Sequence, residues 1–249
     1  MNNISFLIAL QIDSTDRLSN LDISVDSLLY HFPECDIVIA ELDGTSKIKN
    51  RYPKCNHIFI ETTEFFNKQK AYNIAASNSK HQIIALYDAD VILDPQAIKR
   101  AIELISNKRA DIVWPYDGKF FDVPKKFHKE IKETKSLSSI KIEECILFSS
   151  VSVGGVVFFD KNVFWEGGGG NEKFKGAGWE DNEIYVRYTA LGYKRIRLDI
   201  PMFHLNHERK ETSYNYNPYN KHNEAEFVRI DRMNKEQLLA EIITWKYKR

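Results

Sequence analysis

The chain has 249 residues, of which 35 are basic and 35 acidic, so its formal net charge is zero. This balance argues against a protein whose main partner is a nucleic acid, because binding a phosphate backbone usually requires a basic excess. Hydrophobic residues make up 43% of the chain and charged residues 28%, which is a globular composition and excludes disordered, collagen-like and coiled-coil proteins.

The first half of the chain alternates apolar runs with amphipathic stretches. The runs predict strands at 4–10, 36–40, 57–60, 82–87 and 111–114. Helices are predicted from Leu18 to Leu29, over 67–77, and after Asp94, which is a suitable N-cap for a helix that begins with Pro95. Such alternation predicts an α/β protein with a mostly parallel sheet, whose ligands bind beyond the carboxyl ends of the strands.

The second half is rich in glycine, with eight of the eleven glycines lying between Gly154 and Gly178. Because glycine loses the most backbone entropy when it is fixed, this run predicts a loop that is mobile or that approaches a ligand. A helix that ends at Gly192 is expected next, followed by a strand-like segment, a polar surface loop over 208–223 and an amphipathic tail helix.

Two acidic groups could carry chemistry. Asp88 and Asp90 follow the fourth predicted strand, and their oxygens suit Mg²⁺ or Mn²⁺. The pattern alone is more typical of a solvated turn at a strand end, and its position after the fourth strand of an α/β sheet shifts the balance towards a site. Three acids within 180–183 begin a predicted helix, where the helix dipole explains one or two of them. A carboxylate there stays ionised and could accept a proton from a hydroxyl.

A pair of histidines, His204 and His207, follows the late strand-like segment. In a continuous strand, residues three apart face opposite sides of the sheet. One histidine is therefore expected to bind a metal, while the other is structural or contacts substrate.

Seven segments match, in order, the motifs of a known family: SFLIALQIDSTDRLSNL, FNKQKAYNIAA, LYDADVILDP, WPYDG, VGGVVFFDK, GWEDNE and FHLNH. Between Ser5 and Asn223 the chain resembles the GT-A fold glycosyltransferases of the galactosyltransferase type. This group includes the beta-1,4-galactosyltransferases, the bacterial chondroitin polymerases and the polypeptide N-acetylgalactosaminyltransferases. The resemblance implies one GT-A domain with a nucleotide-sugar-binding half (about 1–115), an acceptor and catalytic half (about 116–222) and a C-terminal helix (223–249).

The resemblance also implies roles for individual residues on the donor side. Asp90 and His204 match the ligands of Mn²⁺ (or Mg²⁺), with His207 as the alternative to His204. The residues expected to bind a UDP-sugar donor are Gln11, Asp13, Arg17, Lys70, Asn73, Asp88, Gly154 and Gly155.

On the acceptor side, the resemblance makes Asp181 the catalytic base of an inverting transfer. Glu180 matches a neighbour that contacts the acceptor or donor sugar, and Trp179 is a candidate platform for the acceptor, with Trp165 as the alternative. Because the loop here reads GAGWEDNE, the acids can be misaligned by one, and Glu180 or Glu183 would then be the base. For either tryptophan, simple core packing is an equal alternative.

The predicted function is therefore the transfer of a hexose or N-acetylhexosamine from a UDP-sugar to a saccharide or lipid-linked oligosaccharide, in surface polysaccharide or glycan synthesis. Two alternatives remain open. A nucleotidyltransferase of similar fold usually has a glycine-rich basic turn after its first strand, whereas the turn here, QIDSTDR, contains no glycine. A non-catalytic sugar-binding protein could have kept the fold.

The sequence also predicts a cytoplasmic location. No apolar run approaches the roughly 20 residues of a membrane span, and three widely spaced cysteines suit a reducing compartment. The basic residues of the tail predict either a solvated helix face or peripheral contact with the inner face of the membrane; they are Arg229, Arg232, Lys235, Lys246, Lys248 and Arg249.

Overall fold

Two β-sheets organise the chain in a computed structural model that describes residues 3–208 and 216–245. The first half contains the predicted alternation, in the order β1 (Ile4–Leu10), α1 (Thr15–His31), β2 (Asp36–Asp43), β3 (Asn56–Glu61), α2 (Lys68–Ser77), β4 (Ile83–Tyr87), β5 (Val91–Ile92), α3 (Pro95–Ser106) and β6 (Ile112–Trp114). The five predicted strands and three predicted helices are confirmed. Asp94 caps α3 as expected, because its side chain accepts a hydrogen bond from the backbone of Gln96.

The second half is less regular. Its elements are β7 (Phe120–Val123), α4 (His128–Thr134), β8 (Ile146–Ser149), β9 (Val156–Asp160), α5 (Lys161–Glu166), α6 (Glu180–Leu191), β10 (Arg195–Arg197), β11 (Met202–Leu205), α7 (Asn220–Asp231) and α8 (Lys235–Ile243). Short 3-10 turns lie at Lys125–Phe127 and Ile142–Glu144.

The large sheet has seven strands in the order β10-β6-β9-β4-β1-β2-β3. Strands β1, β2, β3 and β4 are parallel, as are β6 and β10, and β9 is antiparallel to its neighbours β4 and β6. The central strands are almost continuously apolar and buried, which is the pattern of a sheet covered on both faces. The predicted α/β class with a mostly parallel sheet is confirmed.

The small sheet has the order β5-β11-β7-β8 and positions the residues described below. Strand β11 pairs antiparallel with β5 and parallel with β7, so a late segment lies between two earlier ones. In this register His204 lies opposite Val91 on one side and Asp122 on the other. The backbone N–H of Leu205 also donates to the carbonyl of Asp90, which fixes the end of β11 against the turn after β4.

The glycine run 167–170 is buried in the interior, so for these four residues the prediction of a loop that is mobile or that approaches a ligand is wrong. The Arg187 guanidinium donates to the carbonyls of Gly167 and Gly169, and the Asn73 amide exchanges two hydrogen bonds with the backbone of Gly170. A Cβ at Gly167 would overlap the ring of Tyr188. These glycines are therefore needed for close packing.

The tail forms two helices rather than the single helix predicted over 223–249. The break lies at Asn234, whose side chain accepts from the backbone of Gln237 while the Gln237 side chain accepts from the backbone of Asn234. This capping box starts a new helix. The apolar face of α8 packs against Leu191 and Ile230, so the tail covers the domain; Lys246, Lys248 and Arg249 lie outside the described residues.

The predicted surface loop over 208–223 ends earlier than expected, because α7 begins at Asn220, and 209–215 lie outside the described residues. Across 3–208 and 216–245, we find no helix that combines the length and the apolar character needed to cross a bilayer.

Candidate active site

A cleft of about 520 Å³ opens at the carboxyl ends of β1 and β4, where ligands bind in open α/β sheets. Both halves of the chain line it. Among the sequence-predicted residues, those that line this cleft are Gln11, Arg17, Asp88, Asp90, Gly154, Gly155, Trp179, Glu180, Asp181, His204 and His207.

Asp90, His204 and His207 form a buried cluster in this cleft, and one ligand atom from each lies within 4.8 Å of the others. The Nε2 atom of His204 is 3.6 Å from Asp90 Oδ1, and the Nε2 atom of His207 is 3.1 Å from Asp90 Oδ2. The expectation that the two histidines face opposite sides is wrong, because β11 ends at Leu205 and the chain then turns back. Both imidazoles therefore reach Asp90.

Hydrogen bonds fix the orientation of both imidazoles. His207 Nδ1 lies 2.7 Å from the carbonyl oxygen of Glu208, and since a carbonyl only accepts, this nitrogen is the donor. His204 Nδ1 lies 2.7 Å from the carboxylate of Asp122, whose second oxygen accepts from the Asn206 amide. In the neutral imidazoles, both Nε2 lone pairs would point at Asp90. A carboxylate and two imidazole nitrogens held in this way fit a divalent metal ion.

The charges in the cluster depend strongly on one another. Burial alone would lower the pKa of His204, but the carboxylates of Asp90 and Asp122 raise it to about 9. Burial would raise the pKa of the Asp90 carboxyl, yet His204, His207 and Arg17 hold it well below its ordinary value. Without a metal ion, the Asp90 carboxylate is therefore balanced by a protonated His204 and by the Arg17 guanidinium 3.4 Å away.

Lys68 lies at the centre of a second charged group, which sequence analysis missed. Its Nζ atom is 3.0 Å from Asp88, 3.2 Å from Asp181 and 3.5 Å from Glu180. These three carboxylates hold the pKa of Lys68 well above its ordinary value despite burial. The signal available in the sequence was the position of Lys68 at the start of α2, directly after its N-cap Asn67.

Asp88 is held on two sides. The Tyr72 hydroxyl donates to its Oδ1 at 2.7 Å, and Lys68 donates to its Oδ2 at 3.1 Å. Burial raises the pKa of the Asp88 carboxyl against the opposing charge of Lys68. The carboxylate lines the cleft with a fixed orientation and can accept a hydrogen bond from a bound hydroxyl.

The three acids at the start of α6 lie in different surroundings. Asp181 is 27% exposed and lines the cleft. Glu180 is buried, accepts from the backbone of Gly178 at 2.5 Å, and has a pKa raised to about 7 by burial and by the charge of Asp181. Glu183 is fully buried against Arg187 and does not reach the cleft, so it is not a candidate base.

Trp179 lines the cleft, whereas Trp165 does not. Trp179 has a left-handed backbone with φ 70°. Its ring stacks on Phe227 with centroids 5.0 Å apart, and its indole N–H donates to Asn220 at 3.0 Å. Trp165 is partly buried and packs against Phe164, so of the two candidate tryptophans only Trp179 lines the cleft.

Gly154 and Gly155 let neighbouring side chains lie close to the backbone within the cleft. A Cβ at Gly154 would overlap the carboxylate of Asp181. Gly155 has φ +84°, and a Cβ there would lie 2.6 Å from Met202 Cε. The structure therefore requires glycine at both positions.

Three predicted donor residues do not line the cleft. Asp13 lies behind it and accepts from Arg17 Nε at 3.2 Å. Lys70 points to the surface near Glu64, at 3.7 Å, and Asn73 binds the backbone of Gly170. Residues four apart share a face of a helix, so Lys68 and Tyr72 both reach Asp88, whereas Lys70 lies on another face.

Comparisons with known proteins agree with this fold. A search of the curated proteins found no match. Among solved structures, the chain is similar to TarS of S. aureus, determined in complex with UDP-GlcNAc, with a TM-score of 0.59 and 16% identity over 97% of this chain and 71% of that one. At this identity the likeness shows the fold, which is the GT-A fold of glycosyltransferases.

Two family models match the sequence. Residues 138–211 match the model described as the N-terminal domain of galactosyltransferase. Residues 16–168, more than half of the chain, match the model of glycosyl transferase family 2, and the chain belongs to that family. It is therefore a glycosyltransferase of GT-A fold, as the sequence motifs indicated.

Proposed function

We propose that this chain transfers a hexose or N-acetylhexosamine from a UDP-sugar to a hydroxyl of a saccharide acceptor, with a divalent metal ion and with inversion at the anomeric carbon. The observation that carries the proposal is that Asp181 and the cluster of Asp90, His204 and His207 line one cleft. The UDP-GlcNAc bound by the similar TarS protein supports a UDP-sugar as the donor class.

The donor side is formed by residues at the ends of β1 and β4. Arg17 and Gln11 offer a cation and an amide to the nucleotide, and Asp88, held by Tyr72 and Lys68, accepts from a ribose or sugar hydroxyl. Asp90, His204 and His207 would hold Mn²⁺ or Mg²⁺. A cation bound there would act as a Lewis acid and neutralise charge on the leaving diphosphate.

On the acceptor side, Asp181 is the base. Its carboxylate takes the proton of the acceptor hydroxyl as that oxygen bonds to the anomeric carbon from the face opposite UDP, and the bond from that carbon to the UDP oxygen breaks. A base placed in this way contributes about 10²–10⁴-fold to the rate. Lys68 fixes Asp181 and Asp88 at once, and the Trp179 ring suits the C–H face of a sugar.

The alternatives are separated by chemistry. Membership of a glycosyl transferase family argues against a nucleotidyltransferase. A sugar-binding protein without activity would bind donor and release no product, so product formation from UDP-sugars distinguishes it from an enzyme.

The deciding experiment is a calorimetric titration of the protein with UDP, with and without Mn²⁺. We expect Mn²⁺ to tighten binding by about tenfold or more, equivalent to about 1.4 kcal/mol, in the wild type. This gain should disappear in Asp90→Ala and persist in Asp26→Ala, a matched substitution on α1 outside the cleft. No binding in either condition, or an unchanged gain in Asp90→Ala, would contradict the proposal.

A further inference from the structure

An exposed apolar surface adjoins the cleft at β8. The side chains of Ile146, Phe148 and Val151 are 64%, 51% and 81% exposed, and we call these three residues the apolar rim. Soluble proteins rarely expose neighbouring large apolar side chains in this way unless the surface binds something.

The rim lies on a strand at the edge of the small sheet. β8 comes last in the order β5-β11-β7-β8, next to β7. The register of β8 against β7 shifts at Phe148, and Ile146, Leu147 and Phe148 are all at least half exposed, so Ile146 continues the apolar surface of Phe148 along the edge strand. An exposed apolar edge is a liability in a folded protein, and its presence here calls for an occupant.

The apolar rim is continuous with the candidate active site. Phe148 and Val151 line the cleft themselves. The ring of Phe120 lies 5.2 Å from the His204 ring on one side and 5.8 Å from the Phe148 ring on the other. A row of rings therefore leads from the candidate metal cluster to the solvent-exposed rim.

We infer that the apolar rim binds the aliphatic group of an amphiphilic acceptor, a saccharide that carries an alkyl chain. This inference rests on the proposed function. The acceptor must bring a hydroxyl to Asp181 in the cleft, and a chain attached to its sugar would leave the cleft along Phe148 and Ile146. The polar nucleotide side of the cleft, at Gln11 and Arg17, suits the donor.

Charge and geometry disfavour two other possible occupants of the apolar rim, an anionic lipid surface and a second copy of the chain. The nearby basic residues Lys126 and Lys141 both pair with Glu144, and Glu143 lies beside it, so these four residues together carry no net positive charge to attract an anionic lipid surface. β8 is only four residues long, and a second copy paired to it would stand at the mouth of the cleft.

The test uses alkyl β-glucosides, from methyl to octyl, titrated below their micelle concentrations into protein saturated with UDP and Mn²⁺. In the wild type we expect octyl glucoside to bind at least tenfold more tightly than methyl glucoside, since each fully buried methylene contributes about fourfold. Ile146→Ser should lower this ratio by about threefold. Ile243→Ser, a matched substitution of a 76% exposed isoleucine on α8, should leave it unchanged.

Two results would overturn the inference: a ratio near one in the wild type, which together with binding to phosphatidylcholine vesicles would assign the rim to a lipid surface, or an equal ratio in Ile146→Ser. A dimer that Ile146→Ser dissociates, with the ratio unaffected, would assign the rim to a second copy instead. Failure of the proposed function would show separately, as absent UDP binding in the preceding titration, and the glucoside ratio can be measured without UDP.

Discussion

Asp181 and Glu180 are neighbours in sequence, but their surroundings give them different chemistry. Asp181 lines the cleft with 27% of its side chain exposed, whereas Glu180 is only 3% exposed. Lys68 contacts both and limits the repulsion between them. An acceptor hydroxyl can therefore approach Asp181, and Glu180 supports the backbone of Gly178 beneath it.

Replacing the proposed base should separate binding from chemistry. Asp181→Asn keeps the size of the side chain and removes its ability to take a proton. We expect UDP binding to change by less than about twofold, and product formation from a UDP-sugar and acceptor panel to fall by about 10²–10⁴-fold. Normal turnover in Asp181→Asn would transfer the role of base to Glu180.

The raised pKa of Glu180 makes a pH-dependent contribution to stability. Its pKa is about 7 in the folded protein against 4.5 ordinarily, so the folded state holds the proton more tightly. The stability that this proton gives is present below about pH 4.5 and is lost as pH rises through about 7.

Glu180→Gln, which stays neutral, should therefore gain stability relative to the wild type between pH 5 and pH 8, by about 2 kcal/mol. Urea unfolding at pH 5 and at pH 8 measures the difference in the free energy of unfolding between the variant and the wild type. The control Glu103→Gln, on the exposed side of α3, should show none. If the difference in the free energy of unfolding between Glu180→Gln and the wild type is the same at pH 5 and pH 8, the surroundings of Glu180 do not raise its pKa as described.

At the scale of elements, α2 shows how a helix face selects functional residues. Lys68 and Tyr72, one turn apart, hold Asp88, whereas Lys70 lies on the solvent side. The motif FNKQK offers two lysines, and the sequence does not say which one faces the sheet. The angle between the helix and the sheet decides this, and that angle depends on the packing of the whole domain.

The two lysines of α2 provide a matched pair of variants. Lys68→Met leaves three carboxylates facing one another without a cation, and we expect it to lower the free energy of unfolding by about 3–5 kcal/mol. Lys70→Met should change it by no more than about 0.5 kcal/mol. Thermal and urea unfolding measure both, and equal effects would show that Lys68 does not balance the cleft carboxylates.

Strand and helix positions could largely be predicted where local signals were strong. The apolar run at β1 and the Asp94-Pro95 start of α3 gave correct bounds. β7 and β8 were missed because each is only four residues long, and β9 was missed although its VVFF run is typical of a buried central strand. The glycines at 167–170 were misread as a loop at a ligand because the sequence does not show the buried Arg187 that holds them.

At the scale of the whole molecule, the cleft is assembled from segments that are distant in sequence. Asp90 follows β4, Asp122 lies on β7 and His204 on β11, and only the order of strands in the small sheet brings them together. Motif order predicted Asp90 and His204 as partners. The contribution of Asp122 and the joint use of both histidines required the three-dimensional register.

Because the cluster joins distant segments, a bound metal should stabilise the entire domain. With Mn²⁺ and UDP at 100 times their dissociation constants, we expect a gain of about 2.7 kcal/mol in the free energy of unfolding. The resulting rise in melting temperature should be about 5–11 °C, since each kcal/mol shifts it by about 2–4 °C in a domain of this size, and it should be absent in Asp90→Ala. An equal rise in Asp90→Ala would place the metal elsewhere.

The central position of β11 also bears on how the molecule is made. Ribosomes deliver the N-terminal end first, so β5 and β7 emerge long before the strand that belongs between them. A nascent chain that has not yet reached Met202 carries Asp90 without either imidazole. Such a chain lacks two of the three proposed metal ligands, and the set is complete only once synthesis has passed His207.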